Sequence, residues 1–412
     1  VSRLASNTLT LLIGNAGSTV LSLLLSILIG RVLGQTGLGV YAAALAWVYP
    51  VALLAEAGLS VLMTRDLAQP ENSAREIEYL QAAAKARLLL GGLGCGLLLL
   101  SADFLTQSPM TAAGLRLSAP LVLITPFYSA FSAVFRARRQ MRPVAMLNTS
   151  MLLTQVGLTA LVFLLGGNVL IALAVNTLTS TGQLIAAYFV WKRGTVTTQI
   201  NTVLPLWPLL RRALPFALGG TLAAVQLRLN VILLEQLTTP AEVGGFAAAS
   251  RFLEGGRLLS LAFFDALLPA LSSLAAQPTL LNQTFRRAAL LSGGFGFAFG
   301  LGLTLLSAPL LQLTYGTDFV SNAQTLTILG WSLLPLALKY TLTLYWYARG
   351  REAYANAVTL AIIVVQLALG LIWIPLYGAP GAALSAVVVE IVGAVLMSLP
   401  LLSASSFEGK SM

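Results

Sequence analysis

The run Leu38-Gly39-Val40-Tyr41-Ala42-Ala43-Ala44 is answered by Val243-Gly244-Gly245-Phe246-Ala247-Ala248-Ala249, half of the 412-residue chain further on. Leu99-Leu100-Ser101-Ala102 recurs as Leu305-Leu306-Ser307-Ala308 at almost the same offset. Two separate matches at one offset mark an internal duplication. In an apolar sequence a half-chain repeat is a transporter signature, because two similar helical bundles can rock about a site held between them.

The composition around the repeat identifies its solvent. Hydrophobic residues make up 57% of the chain and charged residues 9%, where a soluble domain carries about 25% charged. The chain therefore reads as a polytopic membrane protein. About 20 apolar residues are needed for a helix to cross the hydrocarbon core, where only a helix satisfies its own backbone polar groups. That rule predicts twelve spans, at about 8–30, 38–63, 88–107, 113–134, 144–165, 168–190, 214–236, 242–270, 288–312, 323–346, 354–376 and 379–403. The expected architecture is all-α, with two pseudo-symmetric six-helix bundles at 1–193 and 214–403, a cytoplasmic linker at 194–213 and a polar cytoplasmic tail at 404–412. The first span is too long for a secretory signal and lacks a small-residue cleavage pattern. Because the chain opens on Val1, a missing or non-standard start residue is allowed for.

The basic residues orient these spans. Arg65, Arg75, Lys85 and Arg87, then Arg136, Arg138, Arg139 and Arg142, then Lys192, Arg193, Arg211 and Arg212 fall in segments on one side, against Arg31 and Arg116 on the other. The positive-inside rule puts that side, and both termini, in the cytoplasm. The net charge of +10 then needs no nucleic acid, because the basic residues sit in separate short loops beside membrane spans. The longest cytoplasmic connection, Asp66 to Arg87, interleaves Glu71, Glu76 and Glu78 with basic residues at helical spacing, and predicts a solvated amphipathic helix.

Several chemistries lack their residues. The chain has no His and one Cys, Cys95, inside an apolar run, so zinc sites, imidazole relays and disulfides are not expected. The runs Gly91-Gly92-Leu93-Gly94-Cys95-Gly96 and Gly293-Gly294-Phe295-Gly296 have no preceding strand and read as close helix packing rather than phosphate loops. No metal or cofactor is expected. With no ATP-binding motif, energy would come from a proton or sodium gradient, the membrane potential or consumption of the product.

Charges inside spans lead to function. Arg228 falls in span 7, Arg251 and Arg257 in span 8 and Lys339 in span 10, with Glu56, Glu254, Asp265 and Glu390 as acidic companions. An ionised side chain at the bilayer centre costs about 3 kcal/mol on insertion scales, so such groups face a cavity or a partner. The spacing Arg251-x-x-Glu254-x-x-Arg257 lets one carboxylate pair with both guanidinium groups along one helix side. A mutually satisfied ion network is the bland reading, and Arg31, at the outer end of span 1, can snorkel to the interface. The surplus of positive charge points instead to an anionic ligand of phosphate type, which arginine matches bidentately.

The run Arg31-Val32-Leu33-Gly34-Gln35-Thr36-Gly37-Leu38-Gly39-Val40-Tyr41 resembles the motif joining the first two helices of Wzx-type polysaccharide flippases, of the multidrug/oligosaccharidyl-lipid/polysaccharide exporter superfamily. Leu227 to Leu234, Val243 to Arg251 and Ile374 to Ala383 are similar to further stretches of that family, in order and spacing along the whole chain. The resemblance implies a V-shaped, MATE-like pair of six-helix bundles that moves a polyprenyl-diphosphate oligosaccharide between leaflets of a bacterial inner membrane. It also implies that cations lining a central cavity receive the diphosphate and sugar. That role is carried over to Arg31, Arg228 and Arg251, and the burial argument adds Arg257 and Lys339. Where many relatives carry an acid in span 7 this chain has Asn230, with Glu235 following. The ion-coupling candidates are then Glu56, Glu254, Asp265 and Glu390. The implied substrate is a lipid-linked oligosaccharide, amid membrane lipids, with a polysaccharide polymerase and export machinery as candidate partners.

Two other readings have distinct signatures. A cation-coupled multidrug exporter of the same superfamily would carry cavity acids, whereas the cavity expected here is net basic. A multispanning polymerase or ligase would be an enzyme with a substantial outer loop, and the outer loops here are short. The expectation is a carrier and not an enzyme.

Overall fold

Two glycines divide the two longest helices. In a computed structural model of the chain, α1 (Ser2–Glu56) carries Gly34 at φ 68°, ψ −169° and α12 (Glu352–Glu408) carries Gly378 at φ 61°, ψ −134°. Neither conformation is helical, and a Cβ would make either one strained. The structure describes the backbone of residues 2–69, 71, 75–194, 204–273, 278–348 and 351–408, and within these the side chains other than those of 2–13, 259, 261–266, 268–273, 278, 281, 282, 348, 352 and 401–408.

Between the kinked helices lie α2 (Leu59–Leu67), α3 (Glu76–Leu105), α4 (Pro109–Ser118), α5 (Leu121–Ala137), α6 (Met141–Leu164), α7 (Val169–Arg193), α8 (Leu206–Leu237), α9 (Pro240–Ser273), α10 (Pro278–Thr314) and α11 (Ala323–Ala348). Among the described residues there is no strand, and nine helical stretches are long and apolar enough to cross a membrane. One of them, Gly14–Glu56, has 43 residues. At 1.5 Å per residue that is about twice a ~30 Å hydrocarbon core, so it supplies two spans divided at Gly34. Ala353–Pro400, with 48 residues, divides likewise at Gly378. The 34-residue α9, with Glu242, Arg251, Glu254, Arg257 and Asp265 along it, stands where the remaining span was expected. The fold is thus an all-α polytopic membrane protein, consistent with twelve spans. Leu100, Phe104 and Leu164 are more than four-fifths exposed, a surface suited to lipid and not to water.

The chain forms two compact units, Val1–Gln236 and Leu237–Met412. In the first, Leu59, Leu62 and Met63 of α2, Tyr79, Ala82, Ala83 and Ala86 of α3, Ala130, Ala133 and Val134 of α5, and Leu209 and Ala213 of α8 share one core. The connection from Asp66 to Arg87 is therefore not a solvated helix. Its second half is the start of α3, and its alanines bring backbones together as small residues do between membrane helices. Arg87, expected in a cytoplasmic segment, is fully buried.

The units divide one helix later than the 194–213 linker, because α8 packs on the first of them. Gly58 (φ +67°) approaches it so closely that a Cβ there would lie 2.5 Å from Ala217 N, and Asp66 Oδ2 accepts from Arg212 Nη2 at 2.7 Å and from Tyr79 OH at 3.0 Å. At the other end of α8, Glu235 accepts from Gln107 N at 2.8 Å. Residues 195–203 of the expected linker lie outside the described residues. The second unit packs Ala337, Leu342, Tyr345 and Trp346 of α11 against Ala355, Val358, Ile362, Val389 and Met397 of α12, with Trp346 Nε1 donating to Met397 O at 2.8 Å. Glu242 accepts from Ala379 N at 2.7 Å and so caps the Gly378 kink. The helix continues through the expected tail as far as Glu408, since no glycine or proline interrupts Leu401 to Glu408. Residues 409–412 lie outside the described residues.

Candidate functional site

After its kink, α1 places Tyr49, Ala52, Leu53 and Glu56 on one face, at the i, i+3, i+4, i+7 spacing of a helical stripe. Thr125 and Ser129 of α5 and Ala224, Leu227 and Arg228 of α8 complete the wall of a cavity of about 350 Å³ within the first unit. The Arg228 guanidinium lies 5.2 Å from the centroid of the Tyr49 ring, a cation–π contact at the cavity wall. Glu56, on the same wall, makes no hydrogen bond or ion pair with the described residues.

Behind this wall stands Arg87 of α3. Its Nη2 donates to Ser60 Oγ at 2.9 Å and to Ser129 Oγ at 3.5 Å. Ser60 and Ser129 share a hydrogen bond of 2.9 Å, and Ser129 Oγ donates to Pro126 O at 2.8 Å. The two hydroxyls thus link a buried guanidinium to the cavity surface. Arg87 was missed as a site residue because it was assigned to a loop. The available signal was the unbroken helical spacing of Tyr79, Ala82, Ala83 and Ala86 running straight into Leu88 and Leu89.

The remaining sequence-derived candidates separate. Arg31 is exposed, three residues before the Gly34 kink, and does not line this cavity. In the second unit Arg251 Nη1 pairs with Glu254 Oε2 at 2.7 Å. Arg257 does not complete the expected triad: among the described residues it has no ion pair, and its Nε is buried without a hydrogen-bond partner. Lys339 Nζ meets Glu390 Oε2 at 2.5 Å, with side chains 12% and 7% exposed, so that cation is not surplus. The side chain of Asp265 lies outside the described residues. Among those described, no three His, Cys, Asp or Glu side chains gather as a metal site. Asn230 and Glu235 are both buried in α8, and Glu235 is occupied in bonding Gln107 and Gln236.

This polytopic helical chain, with Arg228 on the wall of a cavity in its first unit, shares its fold with membrane transporters. The similar solved structures include a multidrug resistance MATE family transporter of the MOP superfamily (TM-score 0.79, 16% identity, 96% of each chain covered). Lipid II flippase MurJ is similar too (0.78, 15%, 95% of this chain and 87% of that one), as is a MOP superfamily transporter from Pyrococcus furiosus Vc1 whose binding pocket is described as reversed in polarity (0.71, 14%, 99% and 96%). At these identities the likeness is one of fold. Nothing among curated proteins matches the chain. The model of the polysaccharide biosynthesis protein family matches residues 4–275, and the chain belongs to that family, whose fold neighbours are transporters and flippases and not enzymes.

Proposed function

We propose that this protein is a flippase that carries a polyprenyl-diphosphate-linked oligosaccharide from the cytoplasmic to the outer leaflet of the bacterial inner membrane, for surface or exported polysaccharide, by alternating access. The observation that carries the reading is the cavity with Arg228 on its wall and Arg87 behind it, in a chain of the polysaccharide biosynthesis family. A diphosphate is too polar for hydrocarbon and a polyprenyl tail too apolar for water, so a carrier must hold the one while the other stays in lipid. Two guanidinium groups supply fixed positive charge, in a medium where a phosphate loses its hydration and needs it. The neighbour of the same fold described as a lipid II flippase supports the class of cargo.

Arg31, Arg251 and Arg257, none of which lines this cavity, are in this reading candidates for further contacts with the cargo. Glu56, Glu254, Asp265 and Glu390 are the candidates for coupling to a proton or sodium gradient. Both termini face the cytoplasm, and a polysaccharide polymerase and export machinery take up the product. The test is a flipping assay in proteoliposomes with a fluorescent polyprenyl-diphosphate oligosaccharide and, separately, a cationic dye. Lipid translocation that falls at least tenfold in Arg228→Ala, with the dye ignored, is expected. Dye transport that survives Arg228→Ala, with no lipid movement, would make the protein a drug exporter.

A further inference from the structure

Arg87 is a buried charge whose donors are only partly satisfied by the described residues. Its side chain is 0% exposed, and among the described residues Nη2 is engaged while Nε and Nη1 have no hydrogen-bond partner. Among the described residues no carboxylate lies within ion-pairing distance of it. An ionised group buried in this way is strongly disfavoured unless a counter-charge reaches it during the protein's working cycle. Buried donors left open in a native structure call for such an explanation.

Two groups can meet that need, and both belong to the cavity. Glu56 is the carboxylate whose charge acts on Arg87. It lines the cavity, is bonded to none of the described residues, and sits on a helix face otherwise given to Tyr49, Ala52 and Leu53. The second is any anion in the cavity. Ser129 is at once a cavity-wall residue and an acceptor of Arg87, so its side chain connects the guanidinium to the cavity that an oxyanion beside Arg228 would enter. Arg228 is on the far helix, α8, which Gly58 and Asp66 hold against this unit. Among the described residues, the charges facing the cavity or lying behind it are thus Arg228, Arg87 and Glu56.

We propose that Glu56 is an internal competitor of the phosphate group: its carboxylate and a phosphoryl oxyanion alternate as the counter-ion of Arg87, beside Arg228. This rests on the reading of the protein as a diphosphate carrier and adds how that site lets go. A carrier must bind its cargo well enough to take it up and weakly enough to release it. A carboxylate tethered within the cavity lowers the affinity of every incoming anion and re-occupies the guanidinium as the anion leaves. Glu56 acts in this cycle as the counter-ion that returns to Arg87 when the anion departs.

The test is calorimetric titration of the purified full-length protein in detergent, with inorganic pyrophosphate and, in a second arm, polyprenyl diphosphate. Glu56→Gln should bind pyrophosphate at least threefold more tightly than the unaltered protein. Arg87→Gln should bind it at least tenfold more weakly, and in the double variant the gain from Glu56→Gln should disappear, as expected for residues acting on one another. If Arg87→Gln does not fold, Arg87→Lys keeps the charge, loses the forked donors and should still blunt the effect of Glu56→Gln. A gain confined to the polyprenyl arm would locate the competition at the lipid-bound headgroup, and a gain in both arms at the phosphoryl group itself. Unchanged or weaker binding by Glu56→Gln, or a gain that persists without Arg87, overturns the competitor. Binding of neither probe by the unaltered protein overturns the diphosphate carrier as well.

Discussion

Lys339 and Glu390 meet at 2.5 Å between α11 and α12, and Gly393, one turn on from Glu390, leaves the space that the lysine stem occupies: a Cβ there would lie 2.7 Å from Lys339 Cδ. Buried pairs of this kind often add little net stability, yet loss of one member strands the other as an uncompensated charge. Lys339→Ala should therefore destabilise the protein by about 3–5 kcal/mol, read as a fall in the thermal midpoint in detergent, while Lys339→Met combined with Glu390→Leu should recover most of it. If lipid flipping also survives in that double variant, Glu390 holds a helix pair together and does not couple an ion. The Arg251–Glu254 pair is different. Its side chains are 25% and 39% exposed, so solvent screening leaves little stability in it.

α8 shows how one backbone position can assign a helix to a unit. Gly58 has φ +67° and faces Ala213 O and Ala217 N at 2.7 and 2.5 Å from an added Cβ. Gly58→Ala should therefore both strain its own backbone and force α8 outward, with loss of folded protein on size-exclusion chromatography. Gly92→Ala, in α3 with nothing within 4 Å of an added Cβ, should instead be neutral or stabilising by up to about 1 kcal/mol, through helix propensity. A similar fall in both would mean that the Gly58 contact does not hold α8. The prolines inside helices behave less dramatically: Pro50, Pro126, Pro215 and Pro335 all lie within continuous helices, and the non-helical backbone angles within α1 and α12 are at glycines.

The orientation of the entire chain rests on its basic residues. Several of them do more than meet lipid headgroups: Arg138 donates to Glu76 at 2.6 and 2.5 Å, and Arg212 pairs with Asp66. The same arginines thus fasten helix ends, and under the positive-inside rule they would also orient the chain. With Cys95 replaced by Ala, a single cysteine at Gln140 should react with a membrane-impermeant maleimide only in inverted vesicles, and one at Leu165 only in intact cells. Both positions are exposed. The reverse pattern would turn the protein over and reverse the proposed direction of transport.

Span positions and all-helical class were legible in the residues because each is a local requirement. A membrane helix must satisfy its own backbone over about 20 apolar residues. Arg228 and Glu56 were legible for a related reason, since a charge inside such a stretch is costly and visible. What the residue order did not reveal was who meets whom. Arg251-x-x-Glu254-x-x-Arg257 allowed a triad, and among the described residues Glu254 pairs with Arg251 and not with Arg257. Lys339 looked like surplus charge, yet Glu390 lies against it. Arg87 looked like a loop residue and became the buried cation behind the cavity. Those outcomes depend on which helices approach closely enough for long side chains to meet, and that is set by small residues such as Gly58, Ala82, Ala83 and Gly393 at contacts far apart in sequence.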